Sequence, residues 1–308
     1  MTEAQPSASA PKQQIQLHSE YAGSVQLRML FSPSGPDAKA DDKDFRLLAH
    51  GSAFVYECDG RTYLVTARHN FTGRHWQTNV YLGEYEVSPT HLQITLLTKP
   101  PTEGWQLQPT GDDARTASTA FRARQFLISL IGEDWAPLWK QHPVHGGDVD
   151  VAVQAINFDD DDLIYPWKYP VEETDPRATK WSNLAPAQDV FIVGYPYALS
   201  TGPLFPLWIR GTVASDTHFG VVVDSKQLPL ILVDARTRTG QSGSVVIRHI
   251  PEGAVVPTVG NSIGITPRPQ SQIVGVYSGR TSDESDLGYV WPSAEVEDIC
   301  RNGTAGTI

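Results

Sequence analysis

The feature that most constrains this chain is a succession of short apolar runs, rich in β-branched residues and separated by glycine and proline. Such runs are typical of short strands bounded by turns. Examples are residues 24–31, 62–67, 189–196 and 244–248, and the chain of 308 residues has 25 glycines and 23 prolines to supply turns. The runs form two groups, and segment 292–300 begins like a short helix, with proline and then serine. The pattern therefore predicts a mainly β protein of two packed antiparallel barrels with a C-terminal helix.

Changes in this rhythm predict the boundaries of the units. In order, these are a disordered tail at 1–20, a first barrel at 21–157, an inter-barrel linker at 158–186, and a second barrel with the C-terminal helix at 187–303. An insertion at 98–147 interrupts the first barrel. Within it, residues 116–131 have apolar positions near helical spacing, which predicts one helix. Residues 79–87 are a further strand candidate before the insertion.

Charge, cysteine content and the N-terminal sequence predict where the protein works. The formal net charge of −11 argues against sequence-independent binding of nucleic acid, which needs a basic surface. The two cysteines, Cys58 and Cys300, are interpreted as free thiols in a reducing compartment. The N-terminus lacks the basic and apolar regions of a signal peptide, and no apolar run reaches membrane-spanning length. A cytoplasmic protein without nucleic-acid or membrane partners is expected.

Segment 237–246, TRTGQSGSVV, carries the strongest indication of chemistry. Its Ser242 lies between Gly240 and Gly243, and a serine nucleophile needs a base, a group that orients the base, and N–H donors for an oxyanion. An ordinary hairpin turn is the alternative for this segment in isolation. A phosphate-binding loop is excluded because no lysine follows the glycine, and a nucleophile elbow would need glycine at position 244.

Candidate partners for the serine occur at strand ends. Of nine histidines, only His69 directly follows a strongly apolar strand, in YLVTARHN. Asp148 and Asp150 lie at the start of another strand candidate, on one face by alternation. Taken alone, His69 is better explained as a polar residue at a strand end, and an aspartate at a strand start is common in a plain turn. The order histidine, aspartate, serine is one of the orders in which catalytic triads occur.

Taken together, these segments resemble the trypsin/chymotrypsin-like serine peptidase superfamily. The motifs that carry the resemblance are GSAF (51–54), TARH (66–69), DVAV (150–153), FIVGYP (191–196), GQSGS (240–244) and GVYSG (275–279). The likeness covers about residues 21–300, with 98–147 unmatched, and is strongest to the disulfide-poor bacterial branch that includes the HtrA proteins, here without a PDZ domain. Ser244 departs from the glycine that usually ends the serine motif.

The resemblance implies two six-stranded barrels and a serine endopeptidase that needs no metal or other cofactor. By the same resemblance, Ser242 is the nucleophile, His69 the base and Asp150, rather than Asp148, the group that orients the base. The N–H groups of Gly240 and Ser242 would form the oxyanion hole. Gln241 stands where secreted members have an aspartate that pairs with a freed N-terminus, so no activation by zymogen cleavage is expected.

The resemblance also implies a substrate-binding set, which consists of Arg236, Thr237, Ser278, Gly279 and Arg280. Two arginines beside a pocket would suit an acidic side chain of a peptide or protein substrate. The alternative is that both arginines pair with local acids or face solvent.

Two further functions stay open at this point. One is a catalytically silent relative that binds a partner, and the insertion, with Trp135 and Trp139 near its end, is the expected place for a regulatory protein. The alternative for the tryptophans is that they pack the insertion onto the first barrel. An esterase of unrelated fold is disfavoured by the residue order.

Overall fold

The structure, a computed structural model, describes residues 22–39, 43–98, 122–202 and 204–308. The tail predicted at 1–20 lies outside these residues. The described chain is mainly β, as the sequence predicts. None of its described helices combines the length and apolar composition needed to cross a membrane.

The first half folds into one rolled sheet. Its strands are β1 (Ser24–Phe31), β2 (Arg46–Cys58), β3 (Arg61–Thr66), β4 (His91–Thr98), β5 (Arg122–Ser129), β6 (Lys140–Gln141), β7 (Ala152–Ala155) and β8 (Trp167–Lys168). They pair in the antiparallel order β6-β7-β3-β2-β1-β4-β5, and β8 adds to β2 in parallel. A bridge between Ile131 and Pro137 folds the chain after β5 back on itself before β6.

A tight turn sets the register of β2 and β3. Asp59 and Gly60 connect them with φ of +49° and +73°, and the pairing runs from Cys58 with Arg61 to Phe54 with Val65. Positive φ at both central residues matches the right-handed twist of a hairpin, which is why Asp-Gly is favoured there. The helix α1 (His69–Thr72) begins soon after β3 ends.

The second half is a closed antiparallel barrel. Its six strands are β9 (Asp189–Gly194), β10 (Leu207–Val213), β13 (Ile231–Ala235), β14 (Val245–Ile250), β17 (Gln270–Arg280) and β18 (Leu287–Pro292), in the described order β10-β13-β18-β17-β14-β9. Two hairpins project from it, β11 (Val221–Val223) with β12 (Lys226–Leu228) and β15 (Val255–Pro257) with β16 (Ile263–Ile265). The helix α2 (Ser293–Asn302) and β19 (Thr304–Ala305) end the chain, and β19 pairs with β6.

One apolar core joins the two halves. It contains Phe54 and Val65 from the first half, Val193 and Trp291 from the second, and Val296 of α2, all fully buried. The junction is therefore packed as tightly as a domain interior, and side chains that face one another across it are held in fixed positions.

The prediction of a helix at 116–131 is wrong over residues 122–131, and residues 116–121 lie outside the described residues. Arg122–Ser129 is strand β5, and the described part of the insertion, 122–147, contains no helix. The apolar positions Phe126, Ile128 and Leu130 fit a period of two as well as a helical one. Strand β4 decides between them, because it pairs with β5 along its whole length from His91 to Thr98.

Two smaller expectations also differ. The first sheet has nine strands among the described residues rather than six, since β8 and β19 join it. Residues 79–87 form an irregular segment instead of a strand. Gly83 interrupts the run, and the Tyr81 ring packs under the Arg74 guanidinium at 3.7 Å, so the segment folds back on its own neighbours.

Candidate active site

The pairing of β3 with β7 brings His69 and Asp150 together. Thr66 lies opposite Ala152 in this antiparallel pair, so residues just after β3 meet residues just before β7. The Asp150 carboxylate is fully buried, and its Oδ1 accepts the His69 backbone N–H at 2.8 Å. Its Oδ2 lies 2.6 Å from His69 Nδ1. Because a carboxylate only accepts, Nδ1 carries the proton and Nε2 is left as the basic ring nitrogen.

A third donor completes the surroundings of Asp150. The Ser278 hydroxyl in β17 donates to Asp150 Oδ2 at 2.5 Å. A buried carboxylate is costly unless hydrogen-bonded, and two donors of His69 and one of Ser278 meet that requirement here. Asp148 has a different environment, since it is half-buried and pairs with Lys226 Nζ at 2.7 Å. The structure thus places Asp150, and not Asp148, against His69.

Ser242 lies in the loop between β13 and β14, and two glycines near it adopt backbone conformations that favour glycine. Gly240 and Gly243 have φ of +94° and +87°. A Cβ on Gly243 would lie 2.0 Å from Thr66 Oγ1 and 2.1 Å from the Ser52 carbonyl oxygen. Gly243 therefore allows the serine loop to lie directly against the first half of the molecule, and Gly240 allows it to approach the Tyr195 carbonyl of the second half.

Hydrogen bonds across the junction hold the Ser242 loop in place. The Ser242 carbonyl accepts from the Ser52 backbone N–H at 3.0 Å and from Asn70 Nδ2 at 2.9 Å. The Ser52 hydroxyl donates to the Gly240 carbonyl at 2.7 Å and accepts the Tyr195 N–H at 2.9 Å. Sequence reasoning missed Ser52 and Asn70 as positioning residues. The available signal was position alone, because Ser52 lies in the GSAF motif and Asn70 follows His69.

The backbone donors at the serine are left available. Within the described residues, the N–H groups of Gly240 and Ser242 have no hydrogen-bond acceptor, whereas their neighbour Gly243 donates to the Tyr277 carbonyl at 2.7 Å. The Ser242 hydroxyl also has no partner there. Two unpaired N–H groups beside a serine hydroxyl can stabilise a negatively charged oxygen.

His69 and Ser242 line one cleft of about 650 Å³ at the junction of the halves. Of the expected substrate-binding residues, Thr237, Ser278, Gly279 and Arg280 also line it. Arg236 is exposed and is not among the described lining residues. The Arg280 guanidinium binds the carbonyl of Asp283 at 2.5 Å and its carboxylate at 3.5 Å.

The two tryptophans of the insertion have different environments. Trp139 is buried in the core of the first half, where its ring meets Phe71 edge to face. Trp135 is 56% exposed.

Among known proteins, the chain is similar to solved structures only. No family model matches the chain, and no curated protein matches it. The chain is similar to crystal structures of the Rv3671c protease from M. tuberculosis. The active form is 14% identical with a TM-score of 0.43, over 99% of this chain and 96% of that one. An inactive form is 14% identical with a TM-score of 0.40, over 91% and 88% of the two chains.

Proposed function

We propose that the protein is a serine endopeptidase with Ser242 as nucleophile, His69 as general base and Asp150 as the group that orients His69. The observation that carries this proposal is the buried Asp150 carboxylate. It holds both the backbone and the ring of a histidine that lines the same cleft as Ser242. Such a carboxylate fixes the tautomer of the imidazole and stabilises the imidazolium that forms during reaction.

The proposed reaction has two halves. Ser242 Oγ attacks the scissile carbonyl carbon while His69 Nε2 takes its proton, and the N–H groups of Gly240 and Ser242 hold the oxyanion. His69 then protonates the leaving amine as the C–N bond breaks, which leaves an acyl group on Ser242. Water, deprotonated by His69, hydrolyses this ester and regenerates the serine. The bond between the Ser242 hydroxyl and Nε2 would form as substrate binds, because catalytic hydrogen bonds often tighten only in the complex.

The edge of β17 is the proposed place for the substrate backbone. Strand β14 pairs with β17 from Ile250 to Val245, and the chain then turns away at Ser242. Beyond that point Ser278, Gly279 and Arg280 run on along the cleft. A peptide that adds here as an extended strand would bring a carbonyl to Ser242.

Gln241 supports a mechanism without zymogen cleavage. Its side chain is fully buried, and its Oε1 accepts the Arg238 backbone N–H at 2.8 Å. Its own backbone N–H donates to the Arg238 carbonyl at 3.2 Å. The loop that carries the proposed oxyanion donors is thus closed by a side chain of its own.

Labelling with a fluorophosphonate probe tests the proposal. We expect the probe to modify Ser242 of the wild-type protein, as located by mass spectrometry, and to leave Ser242→Ala unmodified. Ser244→Ala, a serine two residues away in the same segment, is the matched control and should still be labelled. Asp150→Asn should lower turnover of a peptide substrate by about 10⁴-fold, because the wrong tautomer of His69 would be favoured.

Each negative result has a definite meaning. Folded wild-type protein that is not labelled would contradict an activated serine and favour the silent, partner-binding relative. Labelling without cleavage of any peptide, but with hydrolysis of esters, would contradict the peptidase assignment alone.

A further inference from the structure

The recess beside Ser242 lies between two walls of the second barrel. One wall is the segment from Thr237 to Gly240 that leads into the serine loop, and the other is the end of β17 from Tyr277 to Arg280. In the proposed peptidase, the side chain that precedes the scissile bond would have to enter between these walls, because its carbonyl is held at Ser242. The contents of this recess therefore decide which side chains can bind.

A side chain of the protein itself spans the recess. The Tyr277 hydroxyl is hydrogen-bonded to Thr237 Oγ1, so the phenol connects one wall to the other. Both side chains are buried, with 2% of Tyr277 and 1% of Thr237 exposed. Burial raises the pKa of Tyr277 to about 12, so the hydroxyl stays protonated well above neutral pH.

The Tyr277 ring has little freedom to move aside. Its backbone N–H donates to the Ser244 carbonyl at 2.9 Å, and its carbonyl accepts from Gly243 at 2.7 Å, so both backbone groups are tied to the serine loop. On the far side the ring lies against Gly288, where an added Cβ would come within 2.5 Å of Tyr277 Cε2. The ring also belongs to the apolar core of the second barrel, together with Val190 and Val290.

The arginines near the recess either lie outside the cleft or already have partners within the described residues. Arg236 is exposed and is not among the described residues that line the cleft. Arg280 is held by the carbonyl and the carboxylate of Asp283. Arg238 also lines the cleft, and its guanidinium donates to the Thr237 carbonyl at 2.7 Å. The Tyr277–Thr237 pair between the two walls is neutral, and its hydroxyl groups are bonded to each other.

We propose that the Tyr277 ring, held chiefly by its packing, closes this recess and restricts cleavage to peptide bonds that follow a small side chain, namely glycine, alanine or serine. The inference rests on the proposed peptidase function and adds its substrate class. A phenylalanine, leucine or glutamate side chain would have to displace a ring that is fixed by two backbone hydrogen bonds, one side-chain bond and its packing on Gly288.

Peptide substrates that differ only in the residue before the scissile bond provide the test. We expect kcat/KM of wild-type protein to be at least about 100-fold higher for alanine than for phenylalanine, since steric exclusion exceeds the effect of one misplaced methylene. Tyr277→Ala should lower this ratio at least tenfold by admitting phenylalanine. Tyr277→Phe is the matched control, because it keeps the ring and loses only the hydroxyl, and its ratio should stay within about threefold of wild type.

The outcomes separate this inference from the function on which it rests. Protein that neither reacts with the fluorophosphonate nor cleaves any peptide would contradict the proposed function. Protein that reacts but prefers phenylalanine, leucine or glutamate would overturn the closed recess and leave the peptidase intact. If Tyr277→Ala fails to fold, the ratio of alanine to phenylalanine cleavage in the wild-type protein and in Tyr277→Phe still tests whether the recess is closed.

Discussion

The substitution Gln241→Met tests whether the Gln241 side chain holds the serine loop in its active conformation. Methionine keeps the length and approximate volume of the side chain but cannot accept the Arg238 N–H that Gln241 Oε1 accepts at 2.8 Å. It also removes the Gln241 Nε2 group, which is buried without a hydrogen-bond partner among the described residues. The two changes act on the free energy of unfolding in opposite directions.

The expected magnitudes follow from these contacts. Loss of the hydrogen bond destabilises by about 1 kcal/mol, and removal of an unpaired buried amide stabilises by about 1–3 kcal/mol. The free energy of unfolding should therefore stay within about 2 kcal/mol of wild type. Catalysis should fall, because the same bond holds the loop of Gly240. About 1 kcal/mol expressed in the transition state lowers kcat about fivefold, and complete loss of one oxyanion donor lowers it 10²–10³-fold.

The assay measures kcat and KM on a peptide with alanine before the scissile bond, and urea unfolding measures the stability. We expect kcat to fall between these limits while KM changes little, because the oxyanion forms only in the transition state. Gln154→Met is the control, since it removes a buried glutamine whose Nε2 bonds the Ser129 carbonyl, outside the serine loop. An unchanged kcat in folded Gln241→Met, or an equal fall in the control, would refute the reasoning.

Three further predictions concern other contacts of the site and fold. Gly243→Ala should abolish labelling and destabilise by about 3 kcal/mol or more, measured by urea unfolding, because its Cβ would overlap Thr66 Oγ1 at 2.0 Å and φ is +87°. Ser278→Ala should lower kcat about tenfold in the peptide assay, because Asp150 keeps two of its three donors. Burial lowers the pKa of His91 below 6.5, so the stability associated with its neutral form is complete above about pH 6.5 and is lost as the pH falls below it. His91→Gln should therefore flatten the fall in unfolding free energy between about pH 7 and pH 5.

Each of these has a result that would contradict it. Full activity of Gly243→Ala would show that the serine loop does not press on the first half. A Ser278→Ala variant with wild-type kcat would show that Asp150 needs only His69. An unchanged pH slope in His91→Gln would place the acid sensitivity in other groups, and the same substitution at the exposed His218 controls for loss of a histidine as such.

The elements that sequence reasoning predicted well are those with local causes. The Asp59-Gly60 hairpin follows from two residues that tolerate positive φ, and the strands beside it follow from alternation of apolar residues. The insertion is the opposite case. Its residues Phe126 and Ile128 satisfy two periodicities, and the choice between them depends on β4, about thirty residues earlier in the chain.

The candidate site shows the same division. The residue types at His69, Asp150 and Ser242, and their order, are readable from the chain because each stands at a strand end in a recognisable motif. The contacts that hold them are not readable. Ser52 bonds to Gly240 across 188 residues, and Tyr277 to Thr237 across 40, and no local pattern predicts which polar groups will meet at that range.

The sequence by itself determined the mainly β class and indicated the candidate triad, because strand periodicity, turn chemistry and residue order are properties of short segments. Tertiary structure alone decided that Ser278 donates to Asp150 and that Tyr277 bonds Thr237 in the recess beside Ser242. Each of these depends on the register of strands that are distant in the chain. Burial then makes an unpaired polar group costly, so the side chains brought together by that register must satisfy one another.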